Sequence, residues 1–254
     1  MRIIRVRHRG QTFYASLGDG VVISLDRETG AETIPLAEVA LMPLVAPSKI
    51  ISIGFNFDGQ AASFGIEQPE HPLFFLRPTT SLTGNGRPVV MPHGMGRMCA
   101  EAELALVIGQ SCSQVSPDSA LRHVFGYTCA NDLSVGDERT DPFLTRSKSF
   151  NGTCPVGPWL ETQMPDLRGT PVRCLINGEM QQEASLGDML FSPAEILSYL
   201  SQIMTLNPGD IILTGAPSGF AEVHPGDTVQ VEIPGVGVLF NAIESKNGTT
   251  PPVQ

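Results

Sequence analysis

The chain has 254 residues, enough for one large domain or a large domain with a small partner, and a formal net charge of -10 without any basic cluster. That balance makes association with a phosphate backbone or an anionic membrane unfavourable, so neither nucleic acid nor a membrane is an expected partner. Plentiful glycine (26) and proline (21) with few aromatic residues suits many short strands joined by tight turns, and argues for a β-rich α+β fold rather than a helical bundle.

In chain order, Ile3 to Val6, Thr12 to Leu17 and Val21 to Leu25 predict a small meander, turned at Arg9-Gly10 and Asp19-Gly20. Its alternation of charge and apolar residues reads as strand, not as a signal peptide, and no apolar run approaches membrane-spanning length. The segment from Pro43 to Ser48 lacks periodicity and serves as a linker, dividing a small N-terminal β domain (1–47) from the remainder (48–254). Lys49 to Gly54 then predicts a buried strand. A helix is expected from Ser116-Pro117-Asp118 toward Val124, with acid in its first turn and Arg122 and His123 in its last. Another is signalled by Ser192-Pro193-Ala194-Glu195, an N-cap, first-turn proline and capping-box glutamate ahead of Ile196, Leu197, Leu200, Ile203 and Met204. The turns Asn207-Pro208-Gly209-Asp210 and His224-Pro225-Gly226-Asp227 each precede a β-branched run, which predicts successive strands of one sheet. Gly235-Val236-Gly237 lies between strands and reads as a turn, not a nucleotide loop. The five cysteines (Cys99, Cys112, Cys129, Cys154, Cys174) are scattered and show no C-x-x-C pairing, so they indicate neither a disulfide framework nor a zinc site and fit a cytoplasmic location.

The chemistry concentrates on acids. Glu101 and Glu103 open the run A-E-L-A-L-V-I-G, where a buried strand points residues two apart to one face. Two half-buried anions side by side repel and lose water, so one takes up a proton unless a cation lies between them. Oxygen-only ligands favour a hard ion such as magnesium, manganese or calcium, whereas zinc or copper would recruit histidine or cysteine. An isolated E-x-E also fits a solvated strand edge. Asp132 follows in an Asn131-Asp132 step.

Several segments together resemble the fumarylacetoacetate hydrolase family. They are I-G-F-N-F-D-G-Q-A-A-S from Ile53, A-E-A-E-L-A-L-V-I-G from Ala100, A-N-D-L-S-V-G-D from Ala130, R-S-K-S-F-N from Arg146, P-V-G-P-W from Pro155 and L-N-P-G-D-I-I-L-T-G-A-P from Leu206. Their order and spacing match over about residues 48 to 243. The resemblance implies a mixed β-roll with a small N-terminal domain, a homodimer, and a divalent metal, Mg2+ or Mn2+ with Ca2+ as a further candidate, held by Glu101, Glu103 and Asp132. Lys148 matches a lysine that family members place beside the metal, where an ammonium can bind a substrate carboxylate or an oxygen gaining charge.

The departures are equally informative. Hydrolytic members carry an N-Y-x-x-H-x-x-E turn whose histidine and glutamate act on the attacking water, but Gln60 and Ser63 stand at those places. Neither is a base at neutral pH. Gly136 replaces a common arginine, Asn151 an aspartate, Ala216 a threonine and Arg77 a frequent lysine. The candidate substrate contacts are Gln60, Ser63, Arg77, Thr214 and Arg139, the last as a substitute for the arginine missing at Gly136. His71 and His93 are the histidines nearest the motifs and the candidates for a relocated base, although both also read as ordinary loop residues. Cys154 reads as a packing residue.

A metal chelated by a 2-oxo acid or 1,3-diketone stabilises the enolate formed when a neighbouring bond breaks, which needs the acids but not the missing dyad. The expectation is therefore a metal-dependent lyase or isomerase acting on a small oxo acid or diketone, by decarboxylation, C–C cleavage, tautomerisation, or elimination and cyclisation. Two alternatives stand beside it. One is a C–C hydrolase of the acylpyruvate type with a relocated base, the other a metal-binding member without activity.

Overall fold

The computed structural model describes residues 1–26, 30–63, 65–136, 141, 144–219 and 221–245. The N-terminal strands are β1 (Arg2–His8), β2 (Gln11–Leu17), β3 (Val21–Ser24), β4 (Thr33–Pro35) and β5 (Ala40–Leu41). After them come β6 (Ile50–Gly54), the one-turn helix α1 (Gln60–Ser63), β7 (Leu73–Arg77), β8 (Leu82–Gly84), β9 (Val89–Met91), β10 (Met98–Ala100) and β11 (Ala102–Ile108). The short α2 (Pro117–Ala120) leads to β12 (Val124–Asn131), β13 (Ser134–Val135), β14 (Cys154–Glu161), β15 (Pro171–Ile176) and β16 (Glu179–Ser185). The long helix α3 (Pro193–Ile203) precedes β17 (Ile211–Leu213), β18 (Ala221–Val223), β19 (Thr228–Ile233) and β20 (Gly237–Ser245).

Twelve strands form the main sheet, whose path runs β4-β3-β2-β1-β14-β12-β11-β17-β6-β7, with β5 on β1 and β8 on β14. A five-stranded sheet, β16-β15-β19-β20-β9, and a three-stranded one, β13-β10-β18, complete a β-rich α+β fold with both parallel and antiparallel pairs. No helix among the described residues is long and apolar enough to cross a membrane. The meander expected at the N-terminus is present, and β1 joins it to the main sheet by pairing with β14.

The uninterrupted apolar run of β11 follows from burial on both faces. Leu104, Leu106 and Ile108 enter the core shared with β15, β19, β20 and α3, while Ala105 and Val107 enter a second core with Ile50, Ile211 and Leu213. Helix α3 forms as its signals predict, with both halves of the Ser192–Glu195 capping box made, and buries Ile196, Leu197 and Leu200. Each such side chain contributes about 2 kcal/mol through burial.

Three expectations require correction. The two strands after the Asn-Pro-Gly-Asp and His-Pro-Gly-Asp turns belong to different sheets, because β17 pairs with β11 and β6 whereas β19 pairs with β15 and β20. The helix expected from Ser116 is a single α turn continued by a 3-10 turn over Leu121–His123, and the Ser116 side chain makes no cap bond. Glu101 is not a strand residue: β10 ends at Ala100 in the three-stranded sheet and β11 begins at Ala102 in the main sheet, so Glu101 marks the crossing between them.

Candidate metal centre and its cavity

Backbone pairing brings the acids together. The β11–β12 register sets Ala102 opposite Asn131. The residues just beyond that pair therefore meet: the Asn131 Oδ1 accepts from the Glu101 amide (3.0 Å) and the Asp132 amide donates to the Glu101 carbonyl (2.9 Å). Glu103 lies one strand step further, buried, with its Oε2 accepting from the Gly215 amide at 2.6 Å. Carboxylate oxygens of Glu101, Glu103 and Asp132 all lie within 4.8 Å of one another.

Two cations face these acids. Lys148 is buried, its Nζ bonded to the Glu101 carboxylate and the Asp132 carbonyl (2.7 Å) and 3.3 Å from Asp132 Oδ2. Arg77, fully buried on β7, binds Asp132 through Nη1 and the Thr153 carbonyl and hydroxyl through Nη2 (2.8 and 2.9 Å). Three carboxylates against two cations leave an excess of negative charge. Burial, then the charge of Glu101, pushes the Glu103 carboxyl up to about 8 despite Lys148, the Gly215 amide and Arg77. A donor set of carboxylate oxygens alone, the Glu103 carboxyl among them raised by burial and by a neighbouring negative charge, fits a hard divalent cation.

The acids open into a cavity of about 400 Å³. Lys148, Gln60 and Asp141 line it together with Ile53, Phe55, Ile66, Leu73, Phe75, Leu144 and Ala216. Gln60 reaches it as expected, and its Oε1 has no hydrogen-bond partner among the described residues. The other sequence candidates lie elsewhere. Ser63 is exposed and its hydroxyl donates to the Gln60 carbonyl. Thr214 is buried and donates through both amide and hydroxyl to the Leu104 carbonyl (3.0 and 2.9 Å), so it supports the main sheet and not a ligand. Arg77 lies beneath Asp132 and does not line the cavity, because its guanidinium is consumed by buried partners. His71 is exposed and stacks on Tyr199 of α3 with centroids 5.9 Å apart, and His93 lines a different depression with Met91 and Pro225. Neither histidine reaches the acidic cluster. Arg139 falls outside the described residues.

Asp141 and the apolar wall escaped sequence reasoning. Asp141 Oδ2 accepts from the Ser147 amide and hydroxyl (2.8 and 3.0 Å), holding the turn that carries Lys148, yet no local motif marks it. Alternation in P-L-F-F-L-R, which sends Leu73, Phe75 and Arg77 to one face, was the signal for the wall. Asn56 is a buried strut: its side chain donates to the carbonyls of Phe191 (3.0 Å) and Thr214 (2.6 Å) and accepts from the Phe191 amide (2.9 Å), tying β6 to the segment after β17.

The structure is that of a mixed-sheet, β-rich protein with an all-carboxylate cluster in the wall of a largely apolar cavity, a set of groups suited to a hard divalent cation. Residues 49–244 match the family described as fumarylacetoacetate (FAA) hydrolase, C-terminal, and residues 1–43 match the family described as Rv2993c-like, N-terminal. The chain belongs to the fumarylacetoacetate hydrolase family. It is 38% identical over 233 residues to the oxaloacetate tautomerase YisK of Bacillus subtilis, covering 85% of this chain and 77% of that protein. The crystal structure of 5-carboxymethyl-2-hydroxymuconate delta-isomerase from Mycobacterium smegmatis superposes with a TM-score of 0.86 at 34% identity, covering 97% of this chain and 99% of that one. Maleylpyruvate hydrolase from Sphingobium sp. SYK-6, in complex with manganese(II) ion and pyruvate, gives 0.78 at 27% identity over 96% of this chain and 99% of that one. Its relatives are thus enzymes of small organic acids, one of them seen with manganese.

Proposed function

We propose that this protein is a magnesium- or manganese-dependent enzyme that interconverts or cleaves a small 2-oxo acid or 1,3-diketo acid through its enolate, as a tautomerase or decarboxylase rather than a hydrolase. The observation that carries this reading is a complete acid–lysine centre in a cavity lined by Gln60, which together with the exposed Ser63 stands where hydrolytic members carry histidine and glutamate. Glu101, Glu103 and Asp132 would hold the ion, which supplies Lewis acidity to the chelating oxygens of the substrate. Arg77 keeps Asp132 oriented from beneath.

The remaining steps belong to side chains. Lys148 carries the cationic proton donor at the reacting end of the cavity. In decarboxylation the C–C bond breaks, its electron pair stays on the enolate, carbon dioxide leaves, and the Lys148 ammonium supplies the proton. In tautomerisation a carbon-bound proton must first be removed, and Asp141 is the carboxylate on the wall outside the ligand set. Gln60 can donate an amide hydrogen to a substrate oxygen but cannot activate water.

A panel of 2-oxo and 2,4-dioxo acids, oxaloacetate included, assayed with magnesium or manganese for enol absorbance and released carbon dioxide tests the reading. Turnover that requires the metal and vanishes in Glu103→Ala is expected. Incorporation of solvent oxygen into a product carboxylate would instead favour a hydrolase, and tight oxalate binding with no turnover an inactive metal-binding protein.

A further inference from the structure

Strand β7 lies along the cavity as a ruler. Its alternate residues Arg77, Phe75 and Leu73 share a face, spaced roughly 7 Å apart. Arg77 binds Asp132, the Phe75 ring centroid lies 5.9 Å from Lys148 Nζ, and Leu73 lines the same cavity, as does Ile66. Phe74, on the opposite face, packs on the core instead. Gly54, the partner of Leu73 across β6, offers no side chain to cover it, since a Cβ there would stand 3.1 Å from Leu73 Cδ2. Ile66 and Leu73 are 44% and 40% exposed within a concave surface. Among the described residues, the one cation lining the cavity is Lys148, at the acid end.

We propose that the cavity selects substrates whose tail, beyond the chelating 2-oxo acid end, is uncharged and apolar, with Phe75, Leu73 and Ile66 as the residues that determine this specificity. The inference rests on the function proposed above and adds the substrate class. A substrate chelated at the acids and extended along β7 passes the Phe75 ring before reaching Leu73. A methyl, alkyl or aryl tail there covers exposed apolar side chains and expels their water. A terminal carboxylate in the same place loses its hydration without gaining a cation from the described residues that line the cavity.

Binding titrations on the manganese-loaded full chain test this with three probes: oxalate, which has no tail, and two 2,4-dioxo acids of equal length ending in a methyl or a carboxylate. The methyl-ended acid should bind tighter by about tenfold or more. Leu73→Lys, at a half-exposed strand position, should reverse that preference while oxalate affinity stays constant. Equal or tighter binding of the carboxylate-ended acid by the wild type overturns the inference, and loss of that binding in Arg139→Ala would assign the tail cation to Arg139. Unchanged selectivity in Leu73→Lys also overturns it. Absence of oxalate binding would overturn the proposed function and this inference together, whereas oxalate binding without tail preference defeats this inference alone.

Discussion

Glu103 is held by the amide of Gly215 across 112 residues of sequence, through a 2.6 Å hydrogen bond to Oε2. Gly215 has φ +98°, and a Cβ added there would stand 2.7 Å from the Cβ of Asn56, itself fixed by three hydrogen bonds. The close approach that aims the amide at Glu103 is open to glycine alone. Gly215→Ala should cost about 2 kcal/mol or more from backbone strain and displacement. Urea denaturation would measure the loss, and a manganese titration should show weakened affinity; an alanine variant matching wild type in both would refute the constraint.

Glu103 also sets a pH dependence. Burial and the charge of Glu101 push its carboxyl up to about 8 from an ordinary 4.5. Between those values the folded state holds the proton that the unfolded state releases, so this group's contribution to stability is full below 4.5 and falls as pH rises toward 8. A metal must displace the proton, so affinity should rise by about tenfold per pH unit up to that value and then level off. Calorimetry in buffers of different ionisation enthalpy should detect about one proton released per ion near neutrality. Affinity independent of pH from 6 to 8 would contradict the burial argument.

Lys148 competes with a cation for Glu101 and Asp132 and would also donate the proton on which turnover depends. Lys148→Met should therefore lower turnover by about 100- to 10,000-fold, the usual range for losing a general acid, without weakening manganese binding. Retained turnover would remove Lys148 from the chemistry, and lost metal binding would show that it chiefly positions the acids.

Asp210 is a structural counterpart to the metal acids. Burial raises its carboxyl pKa, but hydrogen bonds from Lys49, Ser48 and the Asn207 amide outweigh that and hold it below its ordinary value. It accepts from the Ser48 amide and hydroxyl (3.0 and 2.6 Å) and the Lys49 amide (3.1 Å), closing the parallel β6–β17 pair that delivers both Gly54 and Gly215. Because the folded pKa is depressed, its contribution is present above the unfolded pKa and disappears as pH falls through the folded one. Asp210→Ala should cost about 3 kcal/mol at neutral pH and less in acid, read from the denaturation midpoint. A pH-independent deficit would disprove the linkage.

Much of this architecture is legible in local chemistry. The capping box at Ser192 is a contact between residues three apart, so α3 needs no tertiary information. The apolar run after Glu103 required burial on both faces, and β11 has it. The helix expected from Ser116 stops after one α turn and a 3-10 turn because its segment carries no apolar face long enough to sustain further turns. Placing the strands after the two Pro-Gly-Asp turns in one sheet failed because turn chemistry specifies where a strand begins and is silent on its partner.

The sequence by itself determined the types of group available: an oxygen-only acid set, a lysine, and no histidine–glutamate pair in the turn after β6. Residue identity decides acidity, basicity and ligand hardness before any folding. The tertiary structure alone decided that Arg77 sits under Asp132 while Phe75 and Leu73 wall the cavity, that Thr214 and Asn56 are struts, and that both histidines lie away from the acids. Those outcomes depend on strand register and on which sheet receives each strand, set by the packing of residues a hundred or more positions apart, and no local spacing encodes them.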